Sequence, residues 1–188
     1  MSISTSTKNK PRLNKAQWLA RAMELLEQQG PGAMRLDNLT RHLSVTTGSF
    51  YHHFGNHGRF LEELTDKYIE DFTYVVRDHL ATLDLPARDM LIEAMRQIVS
   101  MGLGGMDVHF RSLAIGKPAI ADKIQAMDEM RSGIIRKLFR GMGYRGPELR
   151  MRVHNFVVLN SLEHGVHTGL TVKARMRLFD ERVKLLID

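Results

Sequence analysis

Cysteine is absent from the 188-residue chain. Its absence excludes a disulfide framework, a thiolate metal site and a cysteine nucleophile, and it suits a reducing cytoplasm. Long apolar runs are missing as well. The longest, QIVSMGLGGM and NFVVLNSL, fall far short of the roughly 20 residues that span a bilayer. The N-terminal MSISTSTKNKPR has no apolar core of a secretory signal, so a cytoplasmic protein without a membrane partner is expected. Strand signals are few: alternating β-branched runs are rare, and no Asn-Gly or Asp-Gly hairpin turn occurs. There is no Gly-x-Ser-x-Gly elbow and no dinucleotide-binding glycine fingerprint. A binding protein is therefore expected rather than an enzyme, with no cofactor and no metal assigned.

What the chain does have is an uneven positive charge. Residues 1–60 hold eight Lys/Arg against three acids, or +5, whereas residues 61–188 hold nineteen against eighteen, or +1. A basic segment joined to a near-neutral one suggests a polyanion-binding head on a neutral body. Helical periodicity fills the rest. Asn14 is placed to cap a helix reaching about residue 29, which GPG (30–32) ends; further helices are expected over 35–43 and 47–54. A longer one carries Phe60, Leu61, Leu64, Tyr68, Phe72 and Val75, and others are expected near 87–101, 107–115, 119–141, 147–169 and 173–187. The pattern predicts an all-α fold: a basic arm over 1–12, a three-helix head over 13–60 and a helical body over 61–188.

The stretch VTTGSFYHHFGNHGRF, Val45 to Phe60, carries the functional signal. With Thr46 as N-cap and about 100° per residue, Phe50 and Phe54 share one face. The opposite face then presents Gly48, Ser49, Tyr51 and His52. The phenylalanines anchor the helix, and the small and hydrogen-bonding residues point outward. A face that begins with Gly and Ser can be approached closely, as at the edge of a groove. Helix, short turn and this helix make a helix-turn-helix, whose second helix enters the major groove N-terminus first. Thr47 and Ser49 can exchange hydrogen bonds with base edges, and Tyr51 and His52 can reach base or phosphate. At the start of the next helix, His57 and Arg59 offer amides and charge to a phosphate. Arg35, at the start of the second helix, is a further candidate contact. Lys8, Lys10 and Arg12 add sequence-independent attraction.

VTTGSFYHHFGNHGRFLEEL resembles the signature of the tetracycline-repressor-like (TetR) transcriptional regulators. That pattern runs Val-Ser-Lys-Gly-Thr-Leu-Tyr-His/Tyr-His-Phe and then, after a short link, Lys-Glu-Glu-Leu-Leu. Val45, Gly48, Tyr51, His52, His53 and Phe54 keep it, while Thr46, Thr47, Ser49 and Phe50 substitute within it. Upstream, Trp18, Ala22, Leu25, Leu26, Gly30, Ala33, Leu36 and Leu39 keep the expected spacing, so the likeness covers about residues 13–65. Three positions depart. Met34 stands for the Thr that usually caps helix two, Ser44 for a turn Gly, and His57 for a phosphate-gripping Lys.

The resemblance implies a repressor that binds a pseudo-palindromic DNA operator as a homodimer and is released by a small-molecule effector. Leu64, Tyr68 and Phe72 are then the positions expected to pass motion from pocket to head. For the effector pocket, the adaptable side chains of Met95, Met101, Met106 and Met127, with Phe110, are the candidates. For the dimer, two closing helices offer apolar stripes: Val153, Phe156, Val157 and Asn160 on one, Met176, Phe179, Val183 and Leu186 on the other. Two alternatives are kept. His154, His164 and His167 could serve a helical metal-dependent sensor or enzyme, or the chain could be a TetR-like interaction module that no longer binds DNA.

Overall fold

In a computed structural model, residues 13–73 and 77–188 are described. The arm residues Lys8, Lys10 and Arg12, and Val75, lie outside them. Among the described residues the chain is all-α, with no strand. It divides into two compact units, one ending at Leu64 and the other beginning at Thr65, so the division falls four residues later than the charge pattern suggested and lies inside a helix.

The first unit starts with α1 (Lys15–Gln29). Its N-terminus is fixed by a capping box: Asn14 Oδ1 accepts the Gln17 amide at 2.9 Å, and Gln17 Oε1 accepts the Asn14 amide at 3.0 Å. Gly30 ends the helix at a φ of 72°, and a 3₁₀ turn (Pro31–Met34) leads into α2 (Leu36–His42). Then follow α3 (Thr47–Phe54) and α4 (His57–Thr73). Trp18 of α1 is the hub of this unit. It meets Phe50 and Phe54 of α3 edge-on, with centroids 5.7 and 5.9 Å apart, and both phenylalanines also contact Phe60 of α4. Edge-to-face pairs contribute about 0.5–1.5 kcal/mol each beyond the area they bury. Ser44, between α2 and α3, has a φ of 54°, the left-handed region that the missing turn glycine would occupy without strain.

The second unit holds the short α5 (His79–Ala81), then α6 (Ala87–Ser100), α7 (Leu103–Ala114), α8 (Pro118–Gly141), α9 (Gly146–Leu162), α10 (Val172–Arg177) and α11 (Phe179–Leu186). Its core gathers Leu91, Met95 and Val99 of α6, Ile135 and Phe139 of α8, Val153 and Phe156 of α9, and Phe179, Val183 and Leu186 of α11. Two helices differ from their expected spans. The helix read as 147–169 stops at Leu162, where a 3₁₀ turn (Glu163–Gly165) replaces it, and the helix read as 173–187 is interrupted at Leu178. At the first break the Glu163 carboxylate accepts a hydrogen bond from Arg182 at 2.7 Å and faces Arg175 Nε at 3.4 Å.

Candidate DNA-reading face and buried cavity

The turn before α3 is closed locally. Thr46 Oγ1 accepts the Ser49 amide at 3.1 Å, so the recognition-type helix begins with one of its orphan donors satisfied. Phe50 is fully buried while Tyr51 beside it is 49% exposed, which splits the helix into an anchored and an open face. Thr46, Thr47, Gly48 and His52 lie on the open side, with Ser49 partly covered. Gly48 is informative for what does not require it. Its φ is not positive, and an added Cβ would meet only Thr46 Oγ1 at 3.9 Å. Neither backbone nor packing calls for glycine there, so the missing side chain leaves room for something outside the protein. Arg35, at the N-cap position of α2, and Arg59, in the first turn of α4, are both exposed. Asn56, which sequence reading passed over, caps α4 by accepting the Arg59 amide at 2.9 Å.

His57 is a correction. Its ring does not face outward for a phosphate: Nε2 lies 2.7 Å from the Met34 carbonyl, and the ring packs near Phe50 and Phe60. Two departures from the TetR pattern thus meet. The imidazole at 57 takes the carbonyl of Met34, the residue that replaces the usual capping threonine, and pins the start of α4 to the end of the 3₁₀ turn. His53 is likewise structural, with Nε2 2.9 Å from the Leu13 carbonyl.

The dimer candidates are also corrected. Val153, Phe156, Asn160, Phe179, Val183 and Leu186 are buried within one chain, and Val157 and Met176 pack against the same core. The opposite face of α9 is apolar too: Met151, Val158, Leu159 and Leu162 form an exposed row. On α11 and just before it, Leu178 and Leu185 are exposed, Leu185 by 84%.

The effector candidates move as well. Met95, Phe110 and Met127 are packed in the core, Met101 is exposed at the end of α6 and Met106 is partly covered. None of the five lines a small cavity, about 20 Å³, found in the second unit. Its apolar wall is Phe72, Ile98, Ile135, Phe156 and Val157, and its polar wall is Asp107, Arg131, Asn160 and Ser161. Arg131 Nη1 donates to Asp107 Oδ2 and to Ser161 Oγ, both at 2.5 Å, and the guanidinium lies 4.3 Å from the Phe72 ring centroid. Sequence periodicity has no signal for this cluster, because its members are 24 and 30 residues apart.

The histidine alternative is not favoured. Among the described residues, no three His, Asp or Glu side chains gather in a way that could hold a metal. His154 is exposed on α9, His167 lies beyond the 3₁₀ turn, and Arg175 Nη1 is 2.8 Å from His164 Nε2. Burial first, then the Arg175 charge, lowers the pKa of His164 below the ordinary histidine value; Glu163 opposes this and Arg182 adds to it. A histidine whose folded pKa is lowered binds fewer protons folded than unfolded, so stability holds above about pH 6.5 and falls below it. Thermal melting should therefore show a loss between pH 7.5 and 5.5 that His164→Gln reduces; equal losses in both proteins would remove His164 as a cause.

A helix-turn-helix head with an open, close-approach face, on a separate all-helical body, defines a DNA-binding regulator class. The comparisons agree. Residues 19–64 match the family described as bacterial regulatory proteins, tetR family. Those residues carry the head of a tetR-type regulator. No curated protein sequence matches it. Among solved structures, AibR in complex with isovaleryl coenzyme A and operator DNA has a TM-score of 0.71 at 16% identity, over 90% of this chain and 95% of its own. FadR from Bacillus subtilis in complex with stearoyl-CoA has a TM-score of 0.68 at 14% identity, over 93% and 98%. The superantigen PfiT shares the fold too, with a TM-score of 0.62 at 18% identity over 90% and 93%, so the body alone does not assign a role. No described helix is long and apolar enough to cross a membrane.

Proposed function

We propose that the chain is a homodimeric repressor that binds a pseudo-palindromic DNA operator through α3 and is released by a small-molecule effector held in residues 65–188. The observation that carries the reading is the open face of α3, where Gly48 is required by nothing inside the protein. Thr46, Thr47, Gly48, Ser49, Tyr51 and His52 form the contact set, with Arg35 and Arg59 for phosphates. Two-fold symmetry would set the recognition helices about 34–36 Å apart, one turn of DNA. The dimer forms through the outward row Met151, Val158, Leu159 and Leu162 of α9, with Leu178 and Leu185. Support for an effector comes from AibR and FadR, solved with acyl-CoA ligands, and from the polar-and-apolar cavity of the second unit. An effector that binds better when the heads are wrongly spaced weakens operator binding by linkage, about five- to 150-fold for a coupling of 1–3 kcal/mol.

Selection of bound fragments from a random duplex pool supplies the operator, and three substitutions then test the face. Tyr51→Phe and His52→Ala should each cost about 1–3 kcal/mol of affinity without lowering the melting temperature. Gly48→Ala should do the opposite to the two properties. It weakens DNA binding by blocking close approach, yet stabilises the free protein by up to about 1 kcal/mol, because alanine favours helix over glycine. Full DNA affinity in Gly48→Ala would show that nothing approaches there.

A further inference from the structure

Two charges line the cavity in the second unit, Arg131 and Asp107, and a second ion pair lies behind them. Arg131 is 4% exposed and Asp107 1%, and they pair directly. Arg111 forms a two-point pair with Asp128, at 2.7 and 2.8 Å. The pairs are cross-linked: Arg111 lies 3.7 Å from Asp107, and Arg131 Nε lies 3.6 Å from Asp128. Two cations and two carboxylates thus balance in charge, and the capacity left to the guanidiniums is the unpartnered Nε–H of Arg131 and of Arg111. An added buried charge without a counter-charge costs several kcal/mol, so either it stays out or its own pKa shifts to neutralise it.

Uncharged hydrogen-bonding capacity, by contrast, is spare. Ser161 Oγ accepts from Arg131, which leaves its own proton for another acceptor. Asn160 Nδ2 spends one hydrogen on the Phe156 carbonyl, and its Oδ1 accepts from Arg182. Tyr68, which is not part of the cavity wall, stacks on Phe110 at 4.3 Å, and its buried hydroxyl interacts with Asp107 and Arg131. Burial first, then Asp107, raises the pKa of that phenol well above the ordinary tyrosine value, so it stays a neutral donor. The remaining wall is hydrocarbon and aromatic: Phe72, Ile98, Ile135, Phe156 and Val157. At about 20 Å³ the resting space suits a single water, so any guest must be small and must push the apolar wall back.

We infer that the part of the effector entering this cavity is a small, uncharged aliphatic group carrying one oxygen acceptor, such as a hydroxyl or carbonyl. Carboxylates and amines are refused because the Arg131–Asp107 and Arg111–Asp128 pairs already cancel one another. Resting on the reading of residues 65–188 as an effector-binding unit, this gives the effector a chemical class. Any charged portion of a larger effector stays outside the cavity.

The test uses three probes of equal length, 1-hexanol, hexanoate and hexylamine, with the full-length protein at pH 7.5. Hexanol should raise the melting temperature in a saturable way, and the two charged probes at the same concentration should not. Ser161→Ala should weaken hexanol binding by about two- to tenfold, the effect of one neutral hydrogen bond. Asp107→Asn removes one carboxylate from the ring while keeping its shape, so that variant should gain hexanoate binding and the wild type should not. Equal or better binding of hexanoate or hexylamine to the wild type overturns the inference, and so does the absence of any saturable hexanol effect. A mobility-shift assay on the same preparation, without probe, separates the two readings. DNA binding with no hexanol effect removes the neutral-group inference alone; a hexanol effect with no DNA binding removes the repressor reading alone.

Discussion

Asp107→Ala is expected to cost residues 65–188 about 3–5 kcal/mol of stability. That size follows from what remains: Arg131, buried among Phe72, Ile135 and Phe156, keeps its charge but loses its closest counter-charge. Ser161 Oγ still accepts one of its hydrogens, but a hydroxyl dipole does not neutralise a guanidinium, and Asp128 stands 3.6 Å from Nε with Arg111 already on it. For a unit of this size the loss corresponds to a fall in melting temperature of roughly 10–20 °C. Replacing both partners together, as in Asp107→Leu with Arg131→Met, removes the uncompensated charge and should recover most of the loss, because apolar residues of similar volume can replace a buried pair at little cost. The two proteins must be compared by thermal and urea unfolding. A single variant that loses less than about 1 kcal/mol, or a double variant no better than the single one, would show that Arg131 is not held chiefly by Asp107.

This pair also marks where sequence reading ends. Local signals placed the head well. Asn14, GPG and Thr46 are start and stop chemistry that acts within four residues, and the helices over 15–29 and 47–54 have those bounds in the structure. Phe50 and Phe54 face inward because a four-residue spacing on a helix fixes that they share a side, and Trp18 and Phe60 supply the partners. Where two faces of a helix are both apolar, spacing says nothing about which one turns in. On α9, Val153 and Phe156 repeat as regularly as Met151, Val158 and Leu162, and only the packing of the second unit shows that the first set is core. The methionines misled for a related reason. Their adaptability suits a cavity wall and a close-packed core equally, and Met95 and Met127 serve the core. His57 shows the limit from the other side, since its inward turn answers a backbone carbonyl 23 positions away that no periodicity connects to it.

Leu159→Asp combined with Leu185→Asp is expected to convert the proposed dimer into a monomer at micromolar concentration. Both leucines reach the surface of the single chain, Leu185 at 84% and Leu159 at 38% exposure, on helices whose other faces are buried in one core, so the substitutions leave that core intact. In a two-fold interface each substitution is made twice. The double variant removes two leucines per protomer; counting the burial of only one of them, the loss is about 3–6 kcal/mol, at 1.5–3 kcal/mol for each side chain. That alone weakens association by roughly 10²- to 10⁴-fold, before any cost of placing carboxylates in the contact. Operator binding should fall with it, since a lone head reads one half-site and loses the second set of contacts, while far-ultraviolet circular dichroism and the melting temperature at low concentration stay unchanged. Met101→Asp is the control: an exposed apolar residue at the end of α6 that is not a member of the row, whose substitution should leave both association and DNA binding intact. Sedimentation velocity decides the matter. A double variant that still sediments as a dimer would place the two-fold contact on some other surface and leave the apolar row of α9 without the role proposed for it.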